Sequence, residues 1–251
     1  MQVAHTAVIV TGGASSGIGA ATAELLVKED AEVFVLDLEQ SIDAAEPVRG
    51  VEYLPTDVTS PEEVRAAVAT AASGLPLRAV VNCAGMAPSA RVLDGGGVHD
   101  LDLYARVVQI NLVGTFNVLA LAAEAIARTE PDEHGQRGVI VNTASVAAYE
   151  GRVGQAAYSS AMSGVVGLTL PAARDLAQHG IRVNAIAPGV VESHEELVAG
   201  VPFPRRPARP DEYAHLALAI IHHDYLNGEV IRMDGALRAA HAHTGGPERN
   251  Q

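Results

Sequence analysis

Short apolar runs recur along the chain, with stretches of helical pattern between them. Ala7–Val10, Val33–Leu36, Ala79–Val81, Val139–Val141 and Val183–Ile186 are brief and rich in β-branched residues. That is the signature of strands buried on both faces of a parallel sheet. The intervening patterns predict helices over 18–29, 62–73, 101–128, 155–179 and 211–223. Strand–helix alternation from end to end predicts an α/β fold, a doubly wound Rossmann-type parallel sheet forming one domain over 1–251. The segment 188–210 adds prolines at 202, 204, 207 and 210 to Pro188 and reads as a substrate flap, while 239–251 reads as a frayed tail.

Composition narrows the function classes. At 251 residues and 48% apolar, the chain can bury a sizeable core, and its net charge of −13 argues against nucleic acid or anionic membranes as partners. No run of 18 apolar residues occurs, so no membrane span is expected. The first apolar run lacks a preceding basic region and reads as a strand, not a signal peptide. Cys83 is the sole cysteine, which excludes an intrachain disulfide and makes a reducing cytoplasm the expected location. The ten histidines show no ligand spacing with carboxylates, and no metal is expected.

Candidate chemistry gathers where strands end. Thr11-Gly-Gly13-Ala-Ser-Ser16-Gly17-Ile18-Gly19 joins the first strand to the first helix, where glycines allow a pyrophosphate to approach backbone at a helix N-terminus. Asp37 ends the second strand, where a carboxylate can accept the adenosine ribose hydroxyls and repel a 2′-phosphate. With no arginine after it, NAD is favoured over NADP. Asp57-Val58 follows the third strand; Asp57 either meets an adenine amino group or caps its loop. Asn82-Cys83-Ala84-Gly85 follows the fourth strand, and its small residues permit close approach of a cofactor. Cys83 has no basic neighbour and reads as packing. Asn111 falls inside the predicted 101–128 helix, where asparagine marks a kink or a bound water, structural or functional. Ser145 and Tyr158, with a helix following Tyr158, suggest a proton-transfer site, and Met162 lies one turn beyond the tyrosine on the same face.

In this order the pieces resemble the short-chain dehydrogenase/reductase family over about residues 6–238. A narrower likeness within it is to enzymes of 3-hydroxyacyl-CoA and 17β-hydroxysteroids, carried by Arg137–Tyr149, Val153–Tyr158, Val201–Pro204 and Asn227–Gly235. The resemblance implies that Ser16, Gly17 and Ile18 line the pyrophosphate, Asp37 the ribose, and Asp57 with Val58 the adenine. It places Cys83 beside the cofactor, and Pro188, Gly189, Val191 and Ser193 toward the nicotinamide. Ser145 would hold the substrate oxygen, Tyr158 would exchange its proton, and Asn111 would support a water relay.

It further implies an alcohol or ketone substrate, with acyl-CoA favoured, and a homotetramer with Ile221 and Val230–Met233 near its contacts. Three departures stand out. The glycine turn is one residue longer than the family's spacing, the flap is shorter, and Met162 occupies the place of the family's lysine. Methionine carries no charge to hold Tyr158 as phenolate, so a slow enzyme with an alkaline optimum, a different proton route and a nucleotide-binding protein without turnover all follow as readings. Lys28 is the only lysine, so no second one can take over. Arg205, Arg206 and Arg209 in the flap are either sites for CoA phosphates or screened surface charges.

Overall fold

A computed structural model describes residues 1–14, 17–192 and 200–238. The central sheet comprises β1 (Ala7–Thr11), β2 (Glu32–Asp37), β3 (Val51–Pro55), β4 (Leu77–Asn82), β7 (Gly138–Thr143), β8 (Ile181–Pro188) and β9 (Val230–Met233). Its order is β3-β2-β1-β4-β7-β8-β9, and all the pairings are parallel. Two-residue strands β5 (Leu93–Asp94) and β6 (Gly97–Val98) form a separate antiparallel hairpin. The helices are α1 (Gly17–Lys28), α2 (Glu39–Asp43), α3 (Pro61–Ala71), α4 (Leu101–Val108), α5 (Thr115–Ile126), α6 (Ala156–Ala177) and α7 (Pro210–His222).

Alternating strand positions feed opposite cores. Ile9, Val80 and Ile140 face the layer of α3 and α5, whereas Val8, Val10, Val81 and Val141 face that of α1 and α7. Burying such a side chain contributes about 1.5–3 kcal/mol, so both faces must be apolar and the strands read as unbroken runs. The two strands with no bounded apolar run, β3 and β9, lie at the sheet edges and are largely half-buried.

Local signals set the helix starts. Ser60 accepts from the Glu63 N–H ahead of Pro61, and Asp100 accepts from the N–H groups of Asp102 and Leu103. The helix predicted over 101–128 is not regular: Gln109–Gly114 is a π turn between α4 and α5. Leu101–Ile126 as a whole is long and apolar enough to cross a membrane, with 44% of its most apolar window buried inside the protein. Here Val118, Leu119, Ala122 and Ile126 pack it against the sheet. Ile221 is fully buried in the α1/α7 core. The expected tail 239–251 lies outside the described residues.

Arg182 on β8 is a buried cation that closes a helix. Its guanidinium donates to the carbonyls of Ile220 and Ile221 in the last turn of α7, to that of Leu226, and to Gln136 Oε1, at 2.7–3.0 Å. The end carbonyls of a helix have no partner within it, and positive charge is stabilising there. Arg182→Met is expected to lower unfolding free energy by about 2–4 kcal/mol, because buried acceptors lose a charged donor. Urea denaturation monitored by circular dichroism measures it.

Candidate active site

The carboxyl ends of β1, β4, β7 and β8 open onto one cavity of about 310 Å³. It is lined by Gly17 and Ile18 from the turn after β1, Cys83, Ala84 and Gly85 after β4, and Asn111 from the π turn. Ser145, Tyr158, Pro188, Gly189 and Val191 complete the set of expected residues on its wall. Sequence reasoning passed over Thr143, Met86 and Glu192, which also line it. Adjacency to Ser145, Gly85 and Val191 was the only signal they carried.

Backbone proximity builds this crevice. A Cβ on Gly12 would sit 2.5 Å from Ala84 Cα, and one on Gly19 would sit 2.3 Å from the Gly12 carbonyl oxygen. The turn, the helix start and the loop after β4 therefore close on each other with no room for side chains. Thr11 Oγ1 ties them by accepting from the N–H groups of Cys83 and Ala84, both at 3.1 Å. Gly13 packs within the same turn and does not reach the cavity. Gly17 differs: its φ is +77°, and a Cβ there would meet nothing within 4 Å. It faces open space at a helix N-terminus, the setting in which an anion is held by backbone N–H groups.

Asp37 lies at the end of β2 with its carboxylate turned to the turn, accepting from Ala14 N–H at 3.1 Å and from Leu38 N–H at 2.8 Å. Asp57 Oδ1 accepts from both the N–H and the hydroxyl of Thr59, so the loop-capping reading of Asp57 is realised on one oxygen. Val58 is buried against the end of the π turn, where a Cβ on Gly114 would come within 2.7 Å of its side chain. The Asn82 amide donates to Asn142 Oδ1 at 2.9 Å across the sheet, and Asn82 is not among the residues that line the cavity. Ser16 and Ser193 lie outside the described residues.

Asn111 explains the π turn. Its amide donates to the carbonyls of Met86 and Val107, both at 2.9 Å, and its Oδ1 accepts from Met86 N–H at 3.1 Å. This side chain clamps the loop after β4 to the helix. It also requires glycine at 85, where a Cβ would lie 2.5 Å from Asn111 Oδ1. Thr115 Oγ1 donates to the Asn111 carbonyl at 2.7 Å.

Ser145 begins a 3₁₀ turn, Val146–Ala148, and its Oγ accepts from Ala147 N–H at 3.1 Å. Tyr158 stands in the first turn of α6. Burial pushes its phenol above the usual value, and hydrogen bonding with Ser145 pulls the other way. Met162 follows one turn later, 3% exposed, in an apolar cluster with Val107, Ala144 and Ala161, and it also lines the cavity. Burial likewise raises the Cys83 thiol to about 11, with hydrogen bonds to Thr143 and Tyr213 opposing the rise, which makes it a neutral packing group. The flap arginines are partly committed: Arg206 forms a bidentate pair with Glu212 at 2.7 and 2.8 Å, and Arg209 pairs with Asp211 at 2.9 Å. Arg205 remains exposed.

The arrangement is a crevice at the strand ends whose wall carries a serine–tyrosine pair. Comparison with known proteins agrees with it. A family model described as short chain dehydrogenase matches residues 6–197. The 3-hydroxyacyl-CoA dehydrogenase type-2 of Homo sapiens is 49% identical over 246 residues, covering 92% of this chain and 94% of that protein. Ipsdienol dehydrogenase of Ips pini is 33% identical, covering 95% and 99%. A crystal structure of 3-hydroxyacyl-CoA dehydrogenase type-2 from Mycobacterium avium superposes with a TM-score of 0.86 at 39% identity, covering 94% of this chain and 97% of that one. The chain therefore belongs to the short-chain dehydrogenase/reductase family, dehydrogenases that work with a nicotinamide cofactor.

Proposed function

We propose that this protein is an NAD(H)-dependent oxidoreductase that interconverts a secondary alcohol and a ketone, acting on 3-hydroxyacyl-CoA thioesters. The observation that carries the reading is the meeting of Ser145 and Tyr158 on one cavity with the glycine turn and the Pro188–Val191 loop. The open space before Gly17 fits a pyrophosphate, and Asp37 fits a ribose diol. When bound, the nicotinamide accepts the hydride. Ser145 donates a hydrogen bond to the substrate oxygen, and Tyr158 takes the alcohol proton or returns it to the ketone. The thioester follows from the likeness to the type-2 dehydrogenases, which are named for acyl-CoA.

Met162 sets the pH at which this works. Burial raises the Tyr158 phenol, and among the described residues no lysine, arginine or histidine lines the cavity to lower it again. Alcohol oxidation needs the phenolate, whose fraction grows about tenfold per pH unit below its pKa. A slow enzyme that works best in alkali is the first reading. The same two observations favour a second, an NAD-binding protein with negligible turnover, and calorimetry with NAD beside an alcohol panel separates them.

Oxidation of 3-hydroxybutyryl-CoA is expected to rise steeply from pH 7 to pH 10. Met162→Lys should raise the rate at pH 7 at least tenfold and flatten that profile. Equal pH 7 rates for the two proteins, both binding NAD, would remove the charge argument. For the cofactor, Asp37→Ser should narrow the preference for NAD over NADP at least tenfold, as read from their dissociation constants.

Association through α5 and α6 fits an apolar groove of about 650 Å³ between them, lined by Phe116, Ala120, Ala123, Leu168, Pro171 and Leu176. Phe116 is 49% exposed, and the reading is a homotetramer built partly on this face. Light scattering should give a tetramer mass, and Phe116→Glu should reduce it; a monomeric parent protein would overturn the assembly.

A further inference from the structure

The cavity of Ser145 and Tyr158 is electrically one-sided. Among the described residues its lining includes no basic side chain but does include one carboxylate residue, the exposed Glu192. The backbone there is pinned to Ala208. Val191 forms a parallel bridge with Ala208, Ala208 N–H donates to the Val190 carbonyl at 2.8 Å, and Glu192 N–H donates to the Ala208 carbonyl at 3.2 Å. Glu192 also has a φ of +42°, in the left-handed region that residues other than glycine seldom adopt. Of the arginines beyond Ala208 and before it, Arg209 is engaged with Asp211 and Arg206 with Glu212. Among the described residues, no ion pair forms on Glu192.

We propose that Glu192 is a charge filter for the reacting end of the substrate. It admits a carbinol or ketone flanked by a neutral thioester or ester and rejects one flanked by a free carboxylate. The inference rests on the alcohol–ketone reading of the site and refines its substrate class. Two like charges sharing a cavity of this size, at an effective dielectric of about 20 and low salt, disfavour binding on the order of tenfold, and physiological salt screens much of that. A 3-oxo acid and its ester share the reacting carbon skeleton, so charge alone can separate them. In the oxidation direction the phenolate form of Tyr158 adds a second repulsion for a hydroxy acid, and Met162 offers nothing to offset it. A coenzyme thioester keeps its own phosphates remote from the carbinol and so escapes the penalty.

The test is binding of acetoacetate and methyl acetoacetate to the NADH complex, followed by NADH fluorescence at low and high salt. In the parent protein the ester should bind about tenfold more tightly, equivalent to about 1.4 kcal/mol, and the gap should shrink with salt. Glu192→Gln should bring the two ligands within about threefold, and Glu192→Lys should reverse the order. Equal affinities in the parent protein overturn the filter, as does an ester preference that survives in Glu192→Gln, or an NADH complex that binds neither ketone. Failure to bind NADH at all would instead remove the oxidoreductase reading itself.

Discussion

Everything at the carboxyl edge of the sheet depends on backbones that approach more closely than a side chain would allow. Gly12 lies against Ala84, Gly19 against the Gly12 carbonyl, and Gly85 against the amide of Asn111. These contacts bring the turn after β1, the loop after β4 and the α4–α5 helix to one crevice. Any Cβ at these points would force them apart, because interiors packed to crystal-like density do not yield by an ångström without repacking. The π turn belongs to the same constraint. It turns Asn111 toward the Met86 backbone and so locks the helix to the loop.

The chemistry of the crevice follows from what surrounds its one phenol. Tyr158 is buried enough for its ionised form to be disfavoured, and its neighbours are a serine hydroxyl and a thioether. Desolvation and hydrogen bonding therefore oppose one another without a fixed cation to settle the balance. The charge at the rim has the same sign as the phenolate. On the proposed reading, a substrate that is neutral beside its carbinol suits this pair better than an anionic one, and proton transfer grows easier as the solution becomes more alkaline.

Much of this was legible from residue order. The five fully buried strands announced themselves because both of their faces are apolar. The edge strand Val51–Pro55 has half its positions toward solvent, so its pattern lacks an unbroken apolar run. Ser145, Tyr158, Gly17 and Val191 were placed on the cavity by their positions in the strand-end motifs. That the Asn82 amide turns across the sheet to Asn142, a partner 60 positions away, was not legible from its motif.

Strand and helix alternation, the glycine turn and the identity of the residues at 145, 158 and 162 are properties of the linear chain, because periodicity and side-chain chemistry are local. Which atoms meet is not local. That Asn111 bonds Met86, that Arg182 closes the end of α7, and that Glu192 lines the same cavity as Ser145 and Tyr158 all follow from packing distant segments side by side. Hydrogen bonds and cavity walls are made by pairs of segments, and pairing is set by the sheet order, which no single segment contains.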